Sequence, residues 1–551
     1  MTRLTQCALF AGLLLASAAL VQAQGGGVTF ERLQNAAAEP HNWLTYSGGY
    51  HSNRHTTLDR ITAANVDELE VRWVFQAQSL QVFQTTPLVV DGVMYVTEAP
   101  NTVLALDAKL GRVFWRYEYT PALESRPCCG RVNRGVAILG NTLYMGTIDA
   151  QLIAIDAITG KPLWKTAVGD PEDGHALTLA PLIVKDKVVV GIAGGEFGIR
   201  GFISAYDAAT GEEAWKFYTI PGPGEPGHET WENDAWRTGG APAWLTGSYD
   251  PVADLIYWGT GNPGPDWNPA QRPGDNLYSS SVVALDPDTG ELAWHFQFTP
   301  NDPYDYDSVQ VPVLVDYPAQ GGGTLPLMFW ANRNGFFYVL DRTTGRFING
   351  QPYVFLNWAE GLDDAGRPVM TPQPPGATTY PGVQGGTNWY SPSYSPSTRL
   401  FYLSAWEAYG SRFMPQEAEH ERGRLFLGGL PAPDDPDSVI PGLQRGPVNN
   451  WTEAAGTGAV IALDPATGEQ RWKYEMTDVT SSGVLTTATD VLFTGGREGY
   501  FHALDAQNGE LLWKATLGGM IANGPISYAV DGEQFVAVAS GNGLFVFALR
   551  E

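Results

Sequence analysis

The stretch Ala105-Leu-Asp-Ala-Lys-Leu-Gly-Arg-Val-Phe-Trp115 decides the fold, because its Asp, Gly and Trp recur along the chain at one spacing. Further units, each with Gly at the fifth position and Trp at the ninth, begin at Asp156, Asp207, Asp286, Asp464 and Asp505, and Asp341 begins a unit without the Trp. In such a unit the Asp caps a tight turn, the Gly takes a positive φ, and the Trp packs between sheets. The pattern therefore predicts a repeated β-structure.

An apolar hairpin precedes each of these turns. Eight hairpins are predicted, at 88–96, 136–146, 182–191, 243–259, 311–330, 393–404, 484–494 and 526–539. The last one leads to a strand at 545–549 without the Trp strand that should follow it, and an orphan strand of that type lies at 71–75. We therefore predict an all-β, eight-bladed β-propeller with four-stranded blades, the last blade being closed by the N-terminal strand. An open solenoid is the alternative, but solenoids carry capping repeats rather than a split unit.

The blades are longer than compact propeller repeats because of insertions rich in Pro and Gly. These insertions lie at 219–240, 262–280, 350–392 and 406–456. Long loops of this kind are usually functional, so we expect them to wall a site on one face of the ring.

Composition excludes several classes of protein. The chain has 33 Lys and Arg against 59 Asp and Glu, a formal net charge of −26, which argues against binding to nucleic acid. With 44% hydrophobic residues it can bury a core, which argues against disorder. Residues 1–23 have a basic start, an apolar run and a small-residue cleavage site, and they predict a secretory signal peptide. An uncleaved membrane anchor is the alternative. We expect 24–551 to form a single propeller domain without stable membrane insertion.

Cys128 and Cys129 are adjacent in the sequence. A disulfide between neighbours closes a strained eight-membered ring and adds little stability, so its presence would suggest a functional role. The alternative is a pair of inert thiols. The sequence contains no Cys-x-x-Cys-His motif for covalent haem and no spaced Cys/His cluster for zinc.

Carboxylate and amide side chains follow the ends of several predicted strands. They include Glu196, Asn262 and the acidic residues of the segment 301–307. Oxygen donors of this kind suit a calcium-like ion better than zinc or copper. Taken one at a time, each residue is better explained as a turn cap or a solvated acid.

Several spaced segments resemble the PQQ-dependent quinoprotein alcohol dehydrogenases, the methanol and ethanol dehydrogenase family, and together they span essentially the whole chain after residue 23. The matching segments lie at 42–43, 53–54, 65–66, 128–135, 194–201, 258–265, 302–307, 332–338 and 385–389. Their order and number make this resemblance more specific than the Asp-Gly-Trp repeat, which noncatalytic propellers share.

The resemblance implies a cofactor site on the ring axis. PQQ would lie flat between a Cys128–Cys129 disulfide and the face of Trp244. Its polar edge would be bound by Arg134, Thr178 and Asn388, with Arg333 beside the quinone carbonyls.

The resemblance also implies the metal ligands and the chemistry. Glu196, Asn262 and Asp305 would hold one metal ion, and Asp305 would also be the general base that takes the proton of the alcohol. The metal would act as a Lewis acid on the C5 carbonyl of PQQ, to which hydride passes. Asp307 resembles the further carboxylate of the lanthanide-using branch, which favours a lanthanide(III) ion over Ca²⁺.

Three positions depart from the family pattern. Gln84 replaces a Glu, Ala193 replaces a Ser and Ser481 replaces a Trp. The first two remove polar contacts expected around PQQ, and the third opens space near the pocket.

We therefore expect a periplasmic dehydrogenase that oxidises an alcohol to an aldehyde and passes electrons to a separate, soluble cytochrome c. The alternative is a noncatalytic scaffold of the outer-membrane assembly type. The loop residues Trp231, Trp236, Trp389 and Trp406 either line a pocket for a larger alcohol or form loop core. The choice between a monomer and a homodimer stays open.

Overall fold

The computed structural model describes residues 27–319, 321–431 and 456–550. The predicted signal peptide, 1–23, and part of the predicted insertion 406–456 lie outside these residues. One α-helix, α1, spans Phe30–Gln34. Short 3₁₀-helices span Ala36–Ala38, Val66–Glu68, Pro171–Asp173, Gly195–Phe197, His228–Thr230, Asp234–Thr238 and Pro269–Gln271. In the described part of the chain, no helix is long and apolar enough to cross a membrane.

All other regular secondary structure in the described residues is β-strand. Strands of the first half are β1 His55–Thr56, β2 Leu69–Gln76, β3 Leu88–Val90, β4 Val93–Glu98, β5 Thr102–Asp107, β6 Val113–Glu118, β7 Ala137–Leu139, β8 Thr142–Gly146, β9 Gln151–Asp156, β10 Pro162–Ala167, β11 Leu182–Val184, β12 Lys187–Gly191, β13 Phe202–Asp207, β14 Glu213–Tyr218, β15 Ser248–Asp250, β16 Leu255–Gly259, β17 Ser281–Leu285 and β18 Leu292–Gln297. Those of the second half are β19 Val313–Pro318, β20 Thr324–Ala331, β21 Phe336–Asp341, β22 Phe347–Pro352, β23 Ala359–Leu362, β24 Pro368–Met370, β25 Ser393–Ser395, β26 Leu400–Glu407, β27 Phe413–Pro415, β28 Gly429–Pro431, β29 Thr457–Leu463, β30 Gln470–Glu475, β31 Leu485–Thr487, β32 Val491–Gly495, β33 Tyr500–Asp505, β34 Leu511–Thr516, β35 Ile526–Val530, β36 Glu533–Ser540 and β37 Gly543–Leu549.

The strands form eight blades around an axis, which confirms the predicted eight-bladed propeller. Blades one to five are β3–β6, β7–β10, β11–β14, β15–β18 and β19–β22; blade six is β25, β26, β29 and β30, and blade seven is β31–β34, which β1 extends in parallel. Blade eight is β35–β37 completed by β2, whose Leu69 lies opposite Leu549 and whose Gln76 lies opposite Gly543. The N-terminal strand therefore closes the ring, as predicted. The hairpins β23–β24 and β27–β28 lie within two of the insertions.

Asp-Gly-Trp turns join neighbouring blades. In blade four, Oδ1 of Asp286 accepts hydrogen bonds from the backbone N–H groups of Asp288 and Thr289. Trp215 of blade three donates its indole N–H to the carbonyl of Pro287, at 2.9 Å. A Cβ on Gly290, which has a φ of +73°, would meet that indole at 2.6 Å. The Trp therefore packs between blades, as predicted, and it fits only because the turn residue is a glycine.

The blade topology places two sets of loops at one end of the ring. First strands of neighbouring blades contact each other, as β7 does with β11 and β25 with β31, so they surround the axis. Because the strands of a blade are antiparallel, the loop that enters the first strand and the loop between the second and third strands lie at the same end. Residues from several blades therefore meet at that end of the axis.

Candidate active site at the propeller axis

All the predicted site residues lie in these two sets of loops. Loops that precede the first strands of blades two to six carry Cys128, Cys129, Arg134, Thr178, Trp244, Asp305, Asp307 and Asn388. Loops between the second and third strands of blades three to five carry Glu196, Asn262 and Arg333. The structure thus brings to one end of the axis residues that are up to 260 positions apart in the chain.

The two adjacent cysteines form a disulfide, which confirms that prediction. Both cysteines are exposed, and Sγ of Cys129 lies 3.6 Å from Oε1 of Glu196. Cys128, Cys129 and Glu196 place their sulfur and oxygen atoms within 4.8 Å of one another, as metal ligands do. Because the sulfurs are bonded to each other, they are not thiolate ligands. The disulfide instead forms an apolar surface beside the carboxylate.

Arg134 is a buried cation without a carboxylate partner among the described residues. Its guanidinium lies 5.1 Å from the ring centre of Trp244 and 4.7 Å from that of Trp389. One N–H donates to the carbonyl of Thr178, at 3.3 Å, while Nε has no hydrogen-bond partner. Burial lowers the pKa of Arg134 to about 10. A cation in this state is suited to bind an anionic ligand.

The other two residues predicted at this edge are hydrogen-bonded within the chain. Thr178 donates its hydroxyl to the carbonyl of Trp244, at 3.3 Å. Asn388 donates to the carbonyl of Gln384, at 3.0 Å, and its Oδ1 accepts from the backbone N–H of Trp389, at 2.9 Å. Thr178 and Trp244 therefore adjoin Arg134 directly, and Asn388 precedes the Trp389 ring that covers it.

Arg333 bridges the two carboxylates of the segment 301–307. Its Nη1 donates to Oδ2 of Asp307, at 2.6 Å, and its Nη2 donates to Oδ2 of Asp305, at 3.2 Å. Both Nε and Nη2 also donate to the carbonyl of Val383. Asp305 has a φ of +58°, a left-handed backbone conformation that is uncommon outside glycine. The arginine therefore fixes the mutual orientation of both acids.

Asp307 is also held from two other directions. Trp244 donates its indole N–H to Oδ2 at 3.2 Å, and the backbone N–H of Asn262 donates to Oδ1 at 2.9 Å. Gly261 makes this approach possible, because a Cβ there would overlap Oδ1 of Asp307. A single carboxylate thus joins the loops of blades four and five to the ring of Trp244.

Burial and mutual repulsion shift the pKa values of Glu196 and Asp305. Burial, with a contribution from the charge of Asp307, raises the pKa of Glu196 to about 7. Burial also raises the pKa of Asp305 well above its usual range, against the opposing effect of Arg333. Asp305 and Asp307 together raise the pKa of Arg333, although burial disfavours its charge. The cluster carries more negative charge than one arginine neutralises, which is the condition for binding a cation.

Sequence reasoning missed Asp266 and Arg272. Asp266 is only 1% exposed, and its Oδ1 has no hydrogen-bond partner. Burial, followed by the charge of Glu196, raises its pKa well above the usual range. Arg272 is fully buried and donates to the carbonyls of Pro265, Asp266 and Asp302. The only signal was position, because both residues follow directly after the matched segment 258–265.

A cavity of about 250 Å³ adjoins this cluster. Its walls come from three of the four predicted insertions and from Pro303 and Tyr304, which directly precede Asp305. Val383, the carbonyl partner of Arg333, also lines it. The walls are mostly proline and aromatic side chains, including Trp267, which stacks on Phe413 with ring centres 4.2 Å apart. The insertions therefore wall a cavity beside the site, as expected.

The four loop tryptophans do not line this cavity. Trp231 and Trp406 are buried and donate their indole N–H groups to backbone carbonyls, so they are loop core. Trp236 lies against Arg200, and Trp389 lies against Arg134. The tryptophan at the cavity is Trp267, which the sequence did not single out.

Two of the three departures from the family pattern affect hydrogen bonding at the site. Oε1 of Gln84 is buried without a hydrogen-bond partner. Ala193 is partly exposed and pairs through its backbone with Ala176, so its side chain offers no polar atom. Ser481 is partly exposed.

Comparison with known proteins gives a consistent family assignment. Residues 43–350 match the family model of the glucose/ethanol/alcohol dehydrogenase β-propeller domain, named PQQ. The quinoprotein alcohol dehydrogenase PedH of Pseudomonas putida is 38% identical over 98% of this chain and 93% of its own length. The quinohemoprotein alcohol dehydrogenase ADH IIB of Pseudomonas putida is 37% identical over 96% of this chain and 78% of its own length.

Comparison with solved structures supports the same family. A europium-containing methanol dehydrogenase superposes with a TM-score of 0.86 at 33% identity, over 94% of this chain and all of its own. Residues 456–550 also match the family model of the outer membrane protein assembly factor BamB, and the BamB structure from Moraxella catarrhalis superposes with a TM-score of 0.50 at 15% identity. The second likeness shows a shared fold alone. The scaffold alternative therefore has no support beyond the repeat.

Proposed function

The chain belongs to the family of PQQ-dependent quinoprotein alcohol dehydrogenases, and on that premise we propose that it oxidises an alcohol to an aldehyde at the axial site around Asp305. One observation carries the proposal. Arg333 pairs with Asp305 and Asp307, Glu196 and Asp266 lie close enough to be affected by their charges, and a vicinal disulfide and the unpaired Arg134 lie at the same end of the axis. Such a site suits both a cation and an anion from outside the chain.

The residues present fit an anionic quinone. Arg134 has an unpartnered buried Nε and no carboxylate within 4 Å among the described residues, so it would pair with an anionic edge of PQQ together with Thr178 and Asn388. The Cys128–Cys129 disulfide and the half-buried ring of Trp244 offer flat, apolar surfaces. When bound, PQQ supplies the two-electron acceptor and the metal ion supplies Lewis acidity.

The residues present also fit a metal ion that prefers oxygen ligands. Glu196, Asn262, Asp305 and Asp307 would hold it, and all four offer carboxylate or amide oxygens. Three of these ligands are acids, which favours a trivalent ion over a divalent one because attraction scales with charge. The likeness to a europium-containing methanol dehydrogenase supports the same choice. We therefore propose a lanthanide(III) ion in preference to Ca²⁺.

Asp305 is the proposed base for the hydroxyl proton of the alcohol. Burial raises the pKa of Asp305, whereas Arg333, 3.2 Å from its Oδ2, and a bound metal cation would both favour the charged carboxylate, which is the form that accepts a proton. Asp307 keeps Arg333 in place through the shorter ion pair, at 2.6 Å. Proton transfer of this kind contributes about 10²–10⁴-fold to the rate of an enzyme.

Reconstitution tests the function and the metal separately. Metal-free protein would receive PQQ with either LaCl₃ or CaCl₂, and dye-linked oxidation of an alcohol panel would be followed. We expect turnover that is faster with lanthanum. No turnover with either metal would contradict the function, and full activity with calcium alone would contradict the choice of metal.

The cavity beside Asp305 bears on the choice of alcohol. We propose that it receives the hydrocarbon part of the substrate, because its walls are mainly apolar and its volume of about 250 Å³ exceeds what methanol fills. Replacing Phe413 by Ala would remove the ring that stacks on Trp267 and should weaken the preference for larger or aromatic alcohols. The same ranking of alcohols by kcat/KM in Phe413→Ala and in the wild type would contradict this placement.

The remaining parts of the proposal concern location and electron transfer. We propose that residues 1–23 are cleaved on export to the periplasm, that residues 24–551 form one propeller domain, and that a soluble cytochrome c accepts the electrons, since the sequence has no Cys-x-x-Cys-His motif. N-terminal sequencing of the periplasmic protein tests the cleavage. Reduction of a purified cytochrome c during alcohol oxidation tests the acceptor.

A further inference from the structure

The insertion of blade six extends across the end of the ring that carries the site. It leaves the blade after β26 and returns at β29, and its strands β27 and β28 pair as an antiparallel hairpin. We call this hairpin, residues 413–431, the strap. The Phe413 ring stacks on Trp267. The side-chain amide of Gln271 donates to the carbonyl of Ala418 and accepts from its N–H. The strap therefore reaches from blade six to the loop between β16 and β17 of blade four.

The tip of the strap contacts the loop that carries the proposed metal ligand Glu196. The backbone N–H of Phe426 donates to the carbonyl of Glu196, at 2.7 Å. Nε2 of His420 lies 3.1 Å from the carbonyl oxygen of Phe197. Gly198 allows this approach, because a Cβ there would meet the His420 ring at 2.7 Å. Two consecutive carbonyls of the ligand loop are thus bound by the strap.

The ligand loop has little rigidity of its own. Gly194, with a φ of +124°, and Gly198, with a φ of +66°, flank the short 3₁₀-helix Gly195–Phe197, and glycine leaves the backbone more freedom than any other residue. Among the described residues, the one side-chain contact of the Glu196 carboxylate is with Sγ of Cys129, at 3.6 Å. The direction of the carboxylate therefore depends on where its backbone is held.

Arg422 fastens the tip of the strap to blade three. Its guanidinium pairs with three carboxylates of the loop that precedes β11: with Asp170 at 2.7 Å, with Glu172 at 2.9 Å, and with Asp173. The four side chains are 40–58% exposed. One exposed ion pair contributes little, whereas several charges that share one guanidinium form a network. Exposed charges of this kind are weakened by salt.

We propose that the strap positions Glu196 for the metal ion, with Phe426 and Arg422 as positioning residues. The N–H of Phe426 fixes the carbonyl of Glu196, and Arg422 keeps the tip of the strap against blade three. The inference rests on the proposed metal site. A ligand whose backbone is free to move must be ordered when the ion binds, and this ordering opposes binding. Release of the strap should therefore weaken metal binding, although no residue of the strap is a proposed ligand.

The test is metal affinity measured without turnover. Tb³⁺ would be titrated into metal-free wild-type and Arg422→Gln protein, with luminescence sensitised by aromatic residues as the readout. We expect Kd for Tb³⁺ to rise about 3- to 10-fold, less than the roughly 10- to 100-fold that follows loss of a direct partner of a metal ligand. The difference should narrow in about 1 M NaCl, where the Debye length is about 3 Å. Wild-type affinity in Arg422→Gln would overturn the inference.

Arg424→Gln is the matched control. Arg424 lies on the same strap and is 78% exposed, but among the described residues it pairs only with Glu421 of the strap itself, at 3.7 Å. This variant should bind Tb³⁺ as the wild type does. An equal loss of affinity in both variants would assign the effect to net charge and overturn the positioning role.

Hydrogen exchange of the apoprotein tests the contact itself. In Arg422→Gln, the amides of 417–428 and of 193–200 should both exchange faster than in the wild type, while Tm and the exchange of the blade strands stay unchanged. Faster exchange in 417–428 alone would overturn the inference, because the ligand loop would then be held without the strap. A wild type that neither binds Tb³⁺ nor oxidises alcohols would contradict the proposed function itself. That result differs from a wild type that binds Tb³⁺ and an Arg422→Gln variant that matches it.

Discussion

The Asp286 turn at the rim of the propeller and the loops at its axis differ in how their buried polar groups are satisfied. At the rim, the Asp286 carboxylate accepts two backbone N–H groups, and the Trp215 indole N–H reaches the carbonyl of the next blade. At the axis, Oδ1 of Asp266, Nε of Arg134 and Oε1 of Gln84 are buried without a hydrogen-bond partner. Both regions are parts of the same repeated unit, the four-stranded blade.

The difference distinguishes buried polar groups that stabilise the ring from those that are available to bind a ligand. Buried polar atoms in a folded protein are nearly always hydrogen-bonded, so unpartnered ones that cluster in one place indicate a ligand site. A substitution at the rim should therefore change stability and leave chemistry intact. One at the axis should change chemistry or ligand affinity and spare stability.

The largest effect is expected at the axis, for Asp305→Ala. Loss of the proposed base should lower kcat by about 10²–10⁴-fold. Arg333 keeps Asp307 as its partner, so the apoprotein should fold normally. Steady-state alcohol oxidation and the apoprotein Tm give the two readouts. A variant that keeps wild-type kcat would remove Asp305 from the chemistry, and one that unfolds would break the comparison.

A rim substitution should give the reverse result. Gly290→Ala adds a Cβ that would meet the Trp215 indole at 2.6 Å, at a φ of +73°. We expect a loss of about 2–5 kcal/mol of unfolding free energy from strain and overpacking together. The folded fraction should keep wild-type kcat, which denaturant unfolding and kinetics at low temperature would establish.

Gly532→Ala is the matched control for this variant. Gly532 has a φ of +79°, but a Cβ there would meet nothing within 4 Å. It should therefore show the conformational part of the loss alone, about 1 kcal/mol. Equal losses in the two variants would mean that the fit of Trp215 against the turn contributes nothing.

The rim was predictable from the sequence and much of the axis was not, for a physical reason. The Asp286 turn is encoded within nine consecutive residues, so its hydrogen bonds could be expected from spacing alone. The role of Arg272 depends on Asp302, thirty residues away and on another loop, and no periodicity marks either position. The site residues that were predicted came from resemblance to a family, while the burial of Asp266 follows only from the folded loops.

Arg134→Gln should show an intermediate effect at the axis. The variant removes a buried charge without a carboxylate partner, so the apoprotein should be as stable as the wild type. PQQ should bind about 10- to 100-fold more weakly, since a charged hydrogen bond contributes about 1.5–3 kcal/mol. Fluorescence titration with PQQ measures the affinity. Arg342→Gln is the matched control, because Arg342 is equally buried but paired with Asp250 and should affect Tm alone. Equal PQQ affinities in both variants would contradict the role of Arg134.

The smallest effect is expected where a polar group can be added. Ala193 is partly exposed at the end of the axis, and its backbone N–H and carbonyl both pair with Ala176, so a Ser there should leave the local structure unchanged. If its hydroxyl reaches PQQ, the affinity should rise by up to about tenfold, since a neutral hydrogen bond contributes about 0.5–1.5 kcal/mol. Ala193→Val adds volume without a hydroxyl and should give no gain. An unchanged dissociation constant for PQQ in Ala193→Ser would mean that residue 193 does not contact PQQ. An equal gain in PQQ affinity in both variants would assign the effect to packing.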